Sequence, residues 1–230
     1  MKKIHHLFIE YKKNASIENI LIKIIKILPK NLYITCNVLY INKNTNGKVT
    51  VIFDSLNSSD VIIIKLYSNK THIIPEELLY LSEYYKNHYF YYNCYLAYCN
   101  HNEYDISVIK CSKADGDINN LKMNINEYNL LNESISDELY KMHLNGFVHM
   151  DIKTTNILYK KTKDGLKFGL CDFDLTNYTN TPIIPLFKRY YYNLYKIEIP
   201  EIYTEDFETQ IFKRLSHLIK LNKKIIANTV

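Results

Sequence analysis

The sequence predicts a mixed α+β chain in two parts: a small antiparallel five-stranded sheet with one helix, then a mainly helical part. Two observations predict it. In the first half, runs rich in β-branched and aromatic residues are separated by polar turn clusters, the pattern of strands. In the second half, apolar residues recur at spacings of three and four, the pattern of amphipathic helices. The pattern changes across 111–116, so the division falls between 1–111 and 112–230.

Ser16 caps a first helix that runs to about Leu28, with Ile17, Ile20, Leu21, Ile24 and Leu28 on one face and Pro29 beyond its end. Lys23, Lys26 and Lys30 line its other face, and packing onto the domain is a better use of such a helix than a membrane surface. Residues 32–41, 48–53 and 61–67 read as a meander of strands joined by the polar turns 42–47 and 54–60. Pro75-Glu76-Glu77 opens a helix that buries Ile74, Leu78, Leu81 and Tyr85. Two further strands, 90–98 and 106–110, complete the sheet.

Beyond a turn at 115–118, a long helix places Tyr128, Leu131, Ile135, Leu139 and Met142 on one face and stops at Asn145-Gly146. Residues 159–169 read as strand, Lys-rich turn around Asp164-Gly165, and strand. After Asp174 the pattern weakens until a helix over 203–221, with Phe207, Ile211, Leu215, Leu218 and Ile219 on one side.

Composition excludes several classes. The net charge of +5 is modest and the lysines are scattered, so they read as solvated faces and imply no nucleic-acid partner. Five cysteines, none in a Cys-x-x-Cys, and eight dispersed histidines give no zinc spacing and fit a reducing, cytoplasmic setting. No apolar run is long enough to span a bilayer, and residues 1–6 lack a secretory signal pattern. Abundant Asn, Ile and Lys, with arginine only at 189 and 214, indicate an AT-rich coding sequence; the 22 tyrosines then read as ordinary core and surface residues.

The chemistry concentrates in His149-Met150-Asp151-Ile152-Lys153-Thr154-Thr155-Asn156-Ile157-Leu158. A carboxylate, an amine and an amide within six residues are the groups phosphoryl transfer requires near an attacking hydroxyl, a moving phosphoryl group and a divalent cation. Asp172-Phe173-Asp174-Leu175 follows across the strand–turn–strand segment. Together these runs resemble the catalytic loop and metal-binding Asp-Phe-Gly of eukaryotic-type protein kinases, over about 61–175.

That resemblance implies a bilobal kinase-like fold, with 1–111 as the small lobe carrying an extra helix and 112–230 as a shortened large lobe. It implies ATP- and Mg²⁺-dependent transfer to serine or threonine of a protein substrate, since Lys153 stands where the serine/threonine pattern has its lysine. Asp151 takes the role of catalytic base and Lys153 that of phosphate contact, while Asn156 and Asp172 hold the metal and nucleotide. Lys65, ending Val61-Ile62-Ile63-Ile64-Lys65, resembles the nucleotide-binding lysine of the third strand, with Glu77 as its acidic partner. His149 is structural, and Asp206 reads first as helix-start chemistry, with the aspartate of the family's next core helix as the other reading that the resemblance offers.

The departures are specific. The loop 42–47 has a single glycine, which predicts weaker nucleotide binding. Met150 replaces an arginine that would receive an activation-loop phosphate, and Asp174 replaces a glycine. No Ala-Pro-Glu follows Asp172, and a reduced kinase with AT-rich coding suggests a viral or parasite source, with the host cytoplasm as its setting. Three alternatives stand beside this reading: a pseudokinase acting through protein contacts, a small-molecule kinase, against which Lys153 argues, and a compact atypical kinase, of which Thr154-Thr155-Asn156 is a faint echo.

Overall fold

The chain folds as mixed helix and sheet, and among the described residues all strand pairings are antiparallel. A computed structural model describes residues 36–43, 49–55, 60–67, 80–81, 88–91, 95–101, 104–183 and 185–222. The expected helix over 16–28, Glu77 with the start of its helix, and residues 44–47 of the first polar turn lie outside the described residues. The described residues divide into two compact units.

The first unit is the sheet formed by β1 (Cys36–Lys43), β2 (Val49–Ser55), β3 (Asp60–Tyr67), β4 (Tyr95–His101) and β5 (Tyr104–Ser112). Its order is β1-β2-β3-β5-β4, a meander whose last hairpin is laid down with β5 inside and β4 at the edge. Val61, Lys65, Ser107, Ile109 and Cys111 are all buried. The register pairs Val61 with Cys111, Ile63 with Ile109, and Lys65 with Ser107, so these residues share one face. β4 starts later than expected: Phe90 and Tyr91 form a buried turn in the second unit. Their aromatic character serves packing there, which strand propensity cannot distinguish from pairing.

The second unit contains α1 (Ile125–Leu144), α2 (Pro185–Tyr195) and α3 (Glu205–Asn222), and Tyr80 and Leu81 in it are helical too. The α1 start is fixed by a reciprocal cap, in which the Asn124 side chain accepts from Glu127 N at 2.9 Å and Glu127 accepts from Asn124 N at 2.8 Å. Its end passes to Gly146 at φ 74°, a left-handed position that glycine adopts without strain. The expected turn at 115–118 is a short strand, β6 (Gly116–Asp117), followed by a 3-10 turn (Ile118–Asn120). β6 pairs with β8 (Ile157–Thr162), and β8 pairs with β9 (Gly165–Leu170). Two-residue strands make the remaining pairs: β7 (Phe147–Val148) with β10 (Asn177–Tyr178), and β11 (Thr181–Pro182) with β12 (Ile202–Tyr203). Among the described residues no helix is long and apolar enough to cross a membrane.

Phe173 is the hub of the core in this unit. Its ring is fully buried, with ring centres 5.4 Å from Tyr80, 5.6 Å from Tyr91 and 4.9 Å from His149. Beside it a second buried group braces β9. His88 Nδ1 accepts from Phe90 N at 3.0 Å, so the ring proton lies on Nε2, 2.6 Å from Glu138 Oε1. Both Glu138 oxygens accept from Leu170 N, at 3.1 and 3.0 Å. Burial pushes the His88 imidazole down and the Glu138 carboxyl up, so the imidazole stays neutral.

The fit around His88 depends on Gly169. A Cβ there would stand 2.7 Å from His88 Cε1 and Nε2 and 2.9 Å from Phe90 Cδ2. Gly169→Ala is therefore expected to destabilise the protein by about 1–3 kcal/mol through overpacking. A lowered denaturant midpoint with unchanged m-value checks this.

Candidate active site

The site is built on the loop between β7 and β8. His149 Nδ1 lies 3.3 Å from Asp151 N and accepts its proton, which leaves Nε2 to donate to Cys171 O at 3.0 Å. One imidazole thus ties the loop to the end of β9. Met150 follows with φ 62°, a left-handed backbone that costs a side-chain-bearing residue about 1–2 kcal/mol. Its N–H donates to Glu208 Oε1 at 2.8 Å, and its carbonyl accepts from the Tyr191 hydroxyl. The Tyr195 hydroxyl donates to Ile152 O. The backbone on both sides of Asp151 is therefore pinned by helix α2.

Asp151 is buried, and its carboxylate has three donors. Lys153 Nζ lies 2.5 Å and Asn156 Nδ2 2.8 Å from Oδ2, while the Tyr190 hydroxyl is 3.2 Å from Oδ1. Asn156 also donates from Nδ2 to Asp151 O at 2.9 Å. Both bonds use the amide nitrogen, which orients Oδ1 of Asn156 away from Asp151 as an oxygen for a cation. Burial, and then the Asp151 charge, push the Tyr190 hydroxyl up, so it remains a protonated donor. Tyr191 is pushed up by the same two causes in the same order. Burial also pushes up Tyr195.

Asp172 lies at the same end of the β8–β9 hairpin as Asn156, because Cys171 N donates to Asn156 O at 2.9 Å and Ile157 pairs with Leu170. Asp172 is exposed and directly precedes a 3-10 turn (Phe173–Leu175) in a left-handed conformation, φ 61° and ψ 63°. Aspartate tolerates that region better than most residues. The demand for a positive φ falls on Asp172 and not on Asp174, so the missing glycine at 174 brings no backbone conflict here.

The structure thus brings Asp151, Lys153 and Asn156 into direct contact and places Asp172 one residue from the Cys171 link to Asn156. Lys65 belongs to the other unit and is buried (3% exposed). Glu77 lies outside the described residues.

Two features escape the sequence reading. Glu208, not Asp206, is the acid that α3 sends into the core. Asp206 is exposed, whereas Glu208 is fully buried and accepts four hydrogen bonds. These come from Met150 N (2.8 Å) and the Tyr203 hydroxyl (3.1 Å) at Oε1, and from His149 N (3.1 Å) and His143 Nε2 (2.9 Å) at Oε2. The signal was an acid on the same stripe as Ile211, Phe212 and Leu215. The second feature is the tyrosine set of α2, whose hydroxyls hold the loop; reading the tyrosines as compositional hid it.

No protein-family model matches the chain, and no curated protein matches it in sequence. Among solved structures it is similar to the kinase PK-1 of Cydia pomonella granulovirus, with a TM-score of 0.46 and 18% identity. The likeness covers 74% of this chain and 61% of that one, so this chain spans less than two thirds of its neighbour's length.

Proposed function

We propose that the chain transfers the γ-phosphoryl group of ATP to a serine or threonine hydroxyl of a protein substrate, as a reduced protein kinase of bilobal build. The observation that carries this reading is the Asp151 carboxylate, held on Oδ2 by Lys153 and Asn156. A fixed carboxylate with one oxygen directed elsewhere suits the orientation of an acceptor hydroxyl and the uptake of its proton. Lys153, beside it, supplies a cation for the transferring group.

Asn156 Oδ1 and the Asp172 carboxylate are the oxygens that would hold Mg²⁺, a hard cation that takes few protein ligands besides phosphate and water. When bound, the ion offsets charge on the nucleotide phosphates. Lys65 is assigned to those phosphates and Glu77 to its partner. In this reading 1–111 belongs to the small lobe and 112–230 to the large one.

The test is incubation with labelled ATP, Mg²⁺ and casein or basic protein, alongside thermal unfolding with and without the nucleotide. Label is expected on the acceptor protein. A ligand at 100 times its Kd adds about 2.7 kcal/mol to stability, so melting should also rise at millimolar ATP. A rise without transfer would favour a pseudokinase; neither effect would overturn the nucleotide reading altogether.

A further inference from the structure

We propose that Tyr190 is a positioning residue for Asp151, its phenol holding Oδ1 of the carboxylate from 3.2 Å away. This rests on the reading of Asp151 as the group that receives the acceptor proton. The two carboxylate oxygens are supported from different elements: Oδ2 by the loop itself, through Lys153 and Asn156, and Oδ1 by helix α2. A carboxylate held through one oxygen alone can still turn about its χ2 torsion, which is broad. A donor on the second oxygen stops that rotation.

Helix α2 is fitted for the task. Tyr191 and Tyr195 are both buried, and their hydroxyls donate to the carbonyls of Met150 and Ile152, immediately before and after Asp151. The helix is thereby fixed against the backbone on both sides of the residue whose side chain Tyr190 meets. A carboxylate oxygen accepts two hydrogen bonds, so Tyr190 takes one site on Oδ1 and leaves the other for the acceptor hydroxyl. The phenol stays protonated because burial and the Asp151 charge both push it up.

Tyr190→Phe removes the hydroxyl and keeps the ring. Compared with wild type in the casein assay, kcat is expected to fall roughly tenfold, the loss of one hydrogen bond to a charged group. KM for ATP should stay within about twofold, because the bond is not part of nucleotide binding. The melting temperature should fall by only a few degrees. Tyr192→Phe, on the exposed side of the same helix, is the control and should match wild type.

A Tyr190→Phe enzyme as fast as wild type overturns the proposal and leaves the kinase reading intact. So does a slow variant that also melts early and has a raised KM, since that is damage to packing. A wild-type protein that transfers no phosphate removes the kinase reading and this inference with it.

Discussion

Glu208→Ala is expected to cost about 3–5 kcal/mol, the range for removing one partner from a buried charged network. The change strands four donors at once: the half-buried His143 Nε2, and the buried His149 N, Met150 N and Tyr203 hydroxyl. Two of these are backbone groups of the loop that carries Asp151, and neither can rotate to find water. The Tyr203 hydroxyl cannot release its proton instead, because burial alone pushes it well up. Against a typical total stability of about 5–15 kcal/mol the loss is large. For a domain of this size each kcal/mol moves the midpoint by roughly 2–4 °C, so melting should fall by about 6–20 °C. Glu208→Gln preserves the shape but directs an amide N–H₂ at donors on one side or the other, and should be destabilising too. Asp206→Ala, three residues beyond Tyr203 and exposed, should change little. Equal losses at 206 and 208 would show that the loop is not anchored through Glu208.

That contrast also marks how far the chain can be read without coordinates. The strands of the first unit are legible because β-branched runs end in polar turns, and the register that follows places Lys65 opposite Ser107. Helix α1 is legible from its apolar spacing and from Gly146, which supplies the left-handed exit. Asp151, Lys153 and Asn156 are close in sequence, so local geometry alone brings them together. What is not legible depends on contacts distant in sequence. Glu205, Asp206 and Glu208 in the first turn of α3 look alike as helix-start charges, and only the packing of Phe207 and Ile211 decides that Glu208 points inward. Helix α2 has Pro185 at its start and Phe187, Tyr191 and Tyr195 on one stripe, which is a helix signal. A tyrosine-rich composition makes that stripe look like background. The role of those hydroxyls becomes visible only when the loop carbonyls they meet are known.

Asp151→Asn has the largest expected effect on activity and should leave the fold nearly intact. The substitution replaces one carboxylate oxygen with an amide. If the new Oδ1 faces Lys153 and Asn156, both donors keep an acceptor, and the new Nδ2 faces Tyr190. A phenol can turn its proton away and accept, so this arrangement strands no buried donor. The backbone bonds of Met150 and Ile152 to Tyr191 and Tyr195 do not involve the side chain at all. Only the chemistry changes: an amide does not take up the acceptor proton. Loss of general-base catalysis of this kind lowers rates by about 10²–10⁴-fold. The expected result is a variant that melts close to wild type, still gains stability from ATP with Mg²⁺, and transfers almost no label to casein. Retained transfer would move the proton-accepting role to another group. A collapse in melting temperature would instead mean that the Asp151 charge is needed to hold Lys153 and Asn156 in place.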